Sequence, residues 1–434
     1  MIVKSPTICM RAPHLFLICQ WFRWRLAAAI GGVLLLGAIA PNGPVRAEYP
    51  VVMLHTHDEE VGPQILKENP AVGTIRCIFD KLGRRVDIRR GPRLRNEGLL
   101  ESGRIDGMFP NLPDPALDAI AVPTEPFVLE RWSYVQLRSS DNAARPRGET
   151  VGVVLGSNEG RFLAQENVNV FDAIPNMESL VRLLAADRIP FVMVDDWSFD
   201  AEAMALGYAR ERFRSAIVRY VPLQLYFSKP FVAANPTFVS MFNQKIEDCV
   251  HEGRKIAAWE REILSAEAAD ILNGARDEIV NHLRRYNTLD ALDPLESRVE
   301  TLAGEDEEWR TALNQDRMNT LMEVVLSNPL SDHLRVVADE HPMITEIFVM
   351  NEDGFVIGLN RLTSDYWQGD ESAALAILTG NADRHFSDFE YDSSTRRFQV
   401  KISLPVQDDD ERKTAIGMVT IGIDAARLFA GRVH

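Results

Sequence analysis

Apolar and polar positions follow two textures along the chain. Up to about Cys249, short apolar runs at residues 51–55, 73–82, 105–109, 151–155, 191–194 and 220–227 are separated by stretches with helical spacing. Runs of that length read as buried strands, and strands alternating with helices predict a mostly parallel α/β domain. From about Glu252 to Asp290 the chain carries no proline and is rich in Ala, Leu, Glu and Arg, which predicts long helices. Residues 290–306 are acidic, contain Pro294 and read as a linker. Beyond them a helix over about 309–328 precedes residues 344–359, whose centre Met350-Asn351-Glu352-Asp353-Gly354 is a turn sequence between two apolar runs, hence a hairpin. Strands over 386–391, 397–406 and 415–423 complete an antiparallel sheet. The pattern therefore divides the chain into an α/β domain over 48–270, a helical, acidic linker over 271–305 and a smaller α+β domain over 306–434.

The amino terminus stands apart. Arg11, Arg23 and Arg25 precede an apolar run over 26–40, followed by Pro41, Pro44 and Val45-Arg46-Ala47. A positive stretch, an apolar stretch and a small-residue site in that order predict a secretory leader cleaved after Ala47 and a periplasmic protein. The apolar run is shorter than the roughly 20 residues of a spanning helix. The alternative is an uncleaved anchor, to which the apolar residues 15–19 add length.

The whole chain has 47 basic and 63 acidic side chains. Removal of Lys4, Arg11, Arg23, Arg25 and Arg46 with the leader leaves 42 basic ones and a net charge of −21. Such a polyanion repels nucleic acid and anionic lipid, which argues against both as partners. Of the four cysteines, Cys9 and Cys19 leave with the leader. Cys77 and Cys249 remain in an oxidising compartment, either as one disulfide or as two buried thiols.

Both halves resemble known families. Gly91-Pro92-Arg93-Leu94-Arg95, the run Leu100-Glu101-Ser102-Gly103-Arg104-Ile105-Asp106-Gly107, Glu125-Pro126-Phe127, Val151-Gly152-Val153-Val154-Leu155-Gly156-Ser157, Val192-Met193-Val194-Asp195-Asp196 and Leu225-Tyr226-Phe227-Ser228-Lys229 follow one another as in family 3 periplasmic solute-binding proteins. The resemblance covers residues 50 to about 270 and implies two lobes closing on a small ligand. Residues 306–430 are similar to a periplasmic Cache (PAS-like) sensor domain through Ile344-Thr345-Glu346-Ile347-Phe348-Val349-Met350, Thr363-Ser364-Asp365-Tyr366-Trp367-Gln368-Gly369-Asp370-Glu371 and Ile416-Gly417-Met418-Val419-Thr420-Ile421-Gly422-Ile423-Asp424.

In the first domain, Gly156-Ser157 ahead of a predicted helix starting at Asn158 suits an anion. Asp195 or Asp196 suits an ammonium, or else caps a helix. Trp132, Tyr134 and Trp197 are candidate pocket walls or core aromatics. Asp106 belongs to the family-like motif. Amino-acid-binding members of the family carry an arginine shortly before the Glu-Pro-Phe-like segment, and residues 114–120 here contain none. Arg95, Arg131 and Arg138 are the substitute cations, and a standard amino-acid ligand is not the expectation. In the second domain the candidate ligand residues are Ser364, Asp365, Tyr366, Trp367 and Asp370, with Tyr366 and Trp367 alternatively pinning a loop to the sheet.

His55-Thr56-His57-Asp58-Glu59-Glu60 has metal-ligand residue types, but no third ligand is assignable from spacing. The chain has no Gly-rich phosphate loop, no Gly-x-Ser-x-Gly elbow and no Cys-x-x-Cys pair, so the reading is of a protein without cofactor or metal and not an enzyme. What the two resemblances imply is an exported small-molecule binding protein acting as a sensory input to a membrane kinase or chemoreceptor. The alternatives are the carrier of an ABC-type permease, or a scaffold that binds no ligand.

Overall fold

The computed structural model describes residues 50–57, 70–140, 144–250, 256–290, 295–315, 317–380, 382–408 and 415–430. The leader-like segment with its cleavage point, residues 58–60 and Pro294 lie outside them. Residues Tyr49–His434 make one compact unit of mixed α/β structure built on two sheets.

The first sheet contains β1 (Val52–Thr56), β2 (Val86–Arg90), β3 (Gly107–Asn111), β4 (Ala121–Pro123), β5 (Val128–Leu137), β6 (Val151–Val154), β7 (Val170–Ile174), β8 (Phe191–Asp195) and β9 (Phe213–Ser228). Its order, β2-β1-β3-β9-β5-β8-β6-β7 with β4 on β9, repeats one wiring. A parallel trio β2-β1-β3 is closed by antiparallel β9, and a parallel trio β7-β6-β8 is closed by antiparallel β5. Two lobes result. They share β5 and β9, which pair from Val128↔Leu223 to Leu137↔Phe213, while the far end of β9 pairs with β3 and β4. Two paired strands thus run from one lobe into the other.

Strands β1, β3, β6 and β8 follow the apolar runs directly, and every residue of β3 and β8 is buried. Residues 73–82 differ from expectation: they belong to the helix Pro70–Lys81, not to a strand. Its buried positions Ala71, Val72, Ile75, Ile78 and Phe79 recur every three or four residues, a helical period that a short apolar run conceals. Cys77 on this helix is joined to Cys249 as a disulfide, Cα atoms 5.6 Å apart, closing the first lobe on itself.

The helix Ala258–Asp290 leads away from the lobes. Leu264, Ala268, Ile271, Ala275, Ile279 and Leu283 are buried at intervals of three or four along it, and it packs on β10, β14 and β15 of the second sheet. Backbone helix resumes over Leu295–Asn314. The single helix expected over 309–328 is divided into the end of that helix and Thr320–Leu326, and a further helix, Pro329–Glu340, follows. Asn319 and Asn328 cause the breaks, since their Oδ1 atoms accept from Met322 N and Ser331 N and start new helices.

The second sheet contains β10 (Ile344–Asn351), β11 (Val356–Leu359), β12 (His385–Phe386), β13 (Glu390–Asp392), β14 (Arg397–Gln407) and β15 (Ala415–Asp424), ordered β11-β10-β15-β14-β12 with β13 on β14. All its pairings are antiparallel, and the hairpin forms as its turn sequence predicts. Gly354 turns that hairpin at φ 88°, and a Cβ there would meet Gly369 Cα at 2.5 Å, so glycine is required on both counts.

Candidate functional site

A cleft of about 1230 Å³ opens between the lobes. Its lining comes from the carboxyl ends of the parallel strands and the segments that follow: His57 after β1, Arg90 to Arg93 at the end of β2, Asp114 after β3, Val154 to Gly156 at the end of β6, and Pro175 after β7. Ligands of open α/β sheets lie at such ends because backbone polarity and loop side chains converge there.

Arg93 is the centre. It opens the helix Arg93–Glu101, and its side chain is 4% exposed. Arg93 Nε donates to Glu97 Oε1 (2.9 Å), and Nη1 donates to Asn158 Oδ1 in the other lobe (2.8 Å). The same Nη1 lies 3.3 Å from His57 Nε2. A guanidinium only donates, so Nε2 accepts and the imidazole proton sits on Nδ1. Burial, then the Arg93 and Arg161 charges, hold His57 well below the usual histidine range, and therefore neutral. Burial and the neighbouring Arg161 also lower Arg93.

Arg161, on the second-lobe helix Asn158–Gln165, is ion-paired with Asp114 of the first lobe, and its Nη1 stands 3.9 Å from Glu97 Oε1. Burial works to raise Asp114, but the Arg161 hydrogen bond and charge leave it below its ordinary value. Asn158 Nδ2 donates to Pro110 O (3.1 Å), a further tie between the lobes. After these bonds are made, three buried donors in the cleft have no acceptor: Arg93 Nη2, Arg161 Nη1 and His57 Nδ1. A buried donor without a partner costs about 1–3 kcal/mol. All three belong to residues that line the cleft.

The residues singled out from sequence are distributed unevenly around this centre. Asn158 is in it. Ser157 caps the adjoining helix, accepting from Gly160 N (3.1 Å). Arg95 is exposed on the face of its helix opposite Arg93. Asp106 accepts from Met53 N (2.7 Å) at the start of β3, the end away from the cleft. Trp132 is fully buried, its Nε1 donating to Glu130 Oε2 (2.7 Å) and its ring against Phe162. Tyr134 packs edge-on to Phe191 in the core. Trp197 is half-buried beside Asp196, and Arg138 is bonded to the carbonyls of Glu211 and Phe213. Asp195 caps the helix Asp196–Ala205, accepting from Ser198 N (3.0 Å), Ser198 Oγ (3.1 Å) and Arg131 N (3.0 Å). Neither Asp195 nor Asp196 lines the cleft. Of the metal-type residues, His55 Nδ1 bonds Asn96 Oδ1 (2.8 Å) while His57 faces Arg93. Sequence reasoning passed over Arg93, Arg161 and Asp114. The available signal was position, since Arg93 follows Pro92 at the start of a helix, three residues after the end of β2.

Arg131 sits in a second cluster, on β5, one of the two strands the lobes share. Its Nε donates to Asp196 Oδ2 (2.8 Å) and its Nη1 to Glu260 Oε1 (3.4 Å). Burial opposes the Arg131 charge, yet Asp196, Tyr220 and Glu260 hold it above its ordinary value. Glu260, fully buried at the start of the helix Ala258–Asp290, also accepts from Tyr220 OH and Ala257 N (2.6 Å). The Tyr220 ring lies between Phe389 (4.9 Å) and Phe429 (5.2 Å), so the shared strand β9 packs directly on the carboxyl-terminal half.

That half contains a cavity of about 830 Å³ lined by Ser364, Asp365, Glu346, Glu390 and Lys401 among others. Lys401 Nζ bridges Glu346 Oε1 (3.3 Å) and Glu390 Oε1 (3.4 Å). Burial opposes its charge, but these carboxylates raise it. Tyr366 is buried between Trp309 and Phe355, and Trp367 Nε1 donates to Asp353 O (2.9 Å), so both rings hold the loop in place. Asp370 is exposed outside the cavity lining. Asp306 fixes the loop by accepting from Tyr366 N (3.0 Å) and Trp367 N (2.9 Å).

No family model matches the chain, and no curated protein matches it. Several solved structures are similar to part of it. A histidine kinase sensor domain with similarity to periplasmic binding proteins shares 17% identity over 46% of this chain and 90% of that one, with a TM-score of 0.40. An ancestral arginine-binding protein bound to arginine shares 17% over 48% and 95%, with a TM-score of 0.38. The VFT2 domain of Bordetella pertussis BvgS shares 14% over 48% and 95%, also at 0.38. At these scores and identities the likeness decides neither fold nor ligand.

Proposed function

We propose that this chain is an exported small-molecule binding protein that closes two lobes on its ligand and serves as the sensory input to a membrane partner. The observation that carries the reading is the set of unpartnered donors of Arg93, Arg161 and His57, drawn from both lobes into one cleft. A ligand that satisfies donors on both lobes binds the closed arrangement better than the open one and shifts the population towards it. Export rests on the leader-like residues 1–47 and the oxidised pair Cys77–Cys249.

The sensory role, rather than delivery to a permease, is favoured by the two shared strands acting as a hinge. Rotation about β5 and β9 moves Arg131 and Tyr220, and these touch Glu260, Phe389 and Phe429 outside the lobes. The carboxyl-terminal half then acts as the Cache-like receiver of that motion, and its own cavity offers a second ligand site over Ser364 and Asp365. Hydrogen exchange with and without a cleft ligand tests the reading. Sensing predicts altered protection in residues 258–290 as well as in the lobes; change confined to the lobes favours a carrier, and no ligand-dependent change in any segment favours a scaffold.

A further inference from the structure

We propose that the cleft ligand is an organic carboxylate with an apolar body and no α-ammonium group. The proposal rests on the lobe-closure reading above and narrows it to a chemical class.

The cleft atoms left unpartnered among the described residues are donors. Arg93 Nη2, Arg161 Nη1 and His57 Nδ1 are buried and lack acceptors, while Arg93 Nε and Nη1 and Arg161 Nη2 are bonded within the protein. Two guanidiniums, one from each lobe, face the same space and raise each other's electrostatic cost. A ligand carboxylate between them accepts from Arg93 Nη2 and Arg161 Nη1 and ties the lobes together.

The carboxylates beside these donors are already engaged. The carboxylates on the cleft wall nearest these donors, Glu97 and Asp114, are held by Arg93 and Arg161. Glu101 and Asp172 are exposed at its rim. Asp195 spends its oxygens on Ser198 and the Arg131 amide, and Asp196 faces Arg131 in a separate cavity by Trp259. An ammonium placed beside Arg93 Nη2 and Arg161 Nη1 would meet donors of its own sign, with the adjacent Glu97 and Asp114 already ion-paired.

Much of the remaining wall is apolar. Leu117 and Ile120 lie on the first lobe, Val154 on the second, and Leu94 and Leu155 stand one on each lobe at 83% and 64% exposure. Large exposed apolar side chains on both lips of a cleft become useful when closure buries them over an apolar ligand. A cleft of about 1230 Å³ also exceeds the needs of an inorganic anion.

The test is calorimetric titration of the full exported chain with matched pairs differing only in the ammonium: hexanoate against norleucine, 3-phenylpropanoate against phenylalanine, glutarate against glutamate. Inorganic phosphate and sulfate, spermidine and glucose complete the panel. The expectation is that at least one acid binds tenfold or more tightly than its amino partner. Arg161→Gln, at a side chain one-third exposed, and Arg93→Lys, which keeps the charge but loses the fork, each weaken it at least tenfold. Equal or tighter binding of the amino acids, or binding of phosphate and sulfate alone, overturns the proposal. Binding of spermidine or glucose without any acid overturns the ligand class and leaves lobe closure standing. Silence across the whole panel removes both.

Discussion

Replacing Glu260 by Gln tests whether the hinge is held by charge. Both Glu260 oxygens accept: Oε1 from Tyr220 OH and Arg131 Nη1 (3.4 Å), Oε2 from Ala257 N (2.6 Å). A glutamine offers one acceptor and one NH2 group, so in either orientation the NH2 meets a donor. Arg131 keeps Asp196 as its remaining carboxylate, which limits the loss. A hydrogen bond to a charged group contributes about 1.5–3 kcal/mol, so Glu260→Gln is expected to cost about 2–3 kcal/mol. Tyr220→Phe removes one donor, leaves the carboxylate intact and is expected to cost about 1 kcal/mol. Because both changes remove the same contact, the double variant should lose about 1 kcal/mol less than the two singles together. Urea unfolding of the wild type and the three variants, followed by tryptophan fluorescence, measures all of these. A Glu260→Gln variant within about 0.5 kcal/mol of wild type, the range of ordinary surface changes, would refute the reasoning.

Three further outcomes follow from the same contacts. Glu159 accepts from Asp195 N (3.2 Å), and burial together with the Asp195 charge pushes its carboxyl up to about 7. A raised acid favours folding when protonated, so this contribution grows as pH falls from about 7 towards about 4.5 and is lost above. Relative to wild type, Glu159→Gln should be more stable at pH 8, by up to about 3 kcal/mol, with the difference vanishing near pH 4.5; a pH-independent difference would contradict it. The Cys77–Cys249 disulfide closes 172 residues of sequence separation, so Cys77→Ala/Cys249→Ala should lose about 3–5 kcal/mol in denaturant unfolding, and an unchanged midpoint would rule out a stabilising role. Asn158→Ala removes the acceptor of Arg93 Nη1 and the donor to Pro110 O, and should increase interlobe opening, seen as faster hydrogen exchange over residues 93–101 and 158–165; unchanged exchange would mean these ties do not hold the lobes.

The legibility of the sequence varied with how local each decision is. Strands such as Gly107–Asn111 and Phe191–Asp195 are buried on both faces and read as continuous apolar runs. The hairpin at Gly354 announced itself because its turn chemistry is local. The helix Pro70–Lys81 did not, since its period is diluted by Gly73 and by the disulfide cysteine Cys77, which carries packing of its own.

At the cleft, motif similarity drew attention to Arg95, whereas Arg93 turns inward. Two residues apart on a helix is over half a turn, and which of them faces the cleft depends on where the helix starts, here after Pro92. Arg161 was invisible because its role comes from Asp114, 47 residues away. Asp195 and Asp196 looked like ligand carboxylates at a strand end, but the same position also caps a helix and meets Arg131, a competition that only tertiary packing resolves. The aromatic pair Tyr366-Trp367 holds its loop in place, while the cavity beside it is faced by Ser364 and Asp365.

The central claim is that the interlobe donors of Arg93 and Arg161 take a ligand. The most direct measurement is a thermal-shift screen of the exported chain against organic acids, amino acids, polyamines and sugars, run in parallel on wild type and Arg161→Gln. Binding to the folded state at a hundredfold excess over Kd stabilises by about 2.7 kcal/mol, a clear shift in midpoint. The account predicts at least one compound that raises the wild-type midpoint and raises that of Arg161→Gln far less. Equal shifts in both proteins, or no shift with any compound, would contradict it.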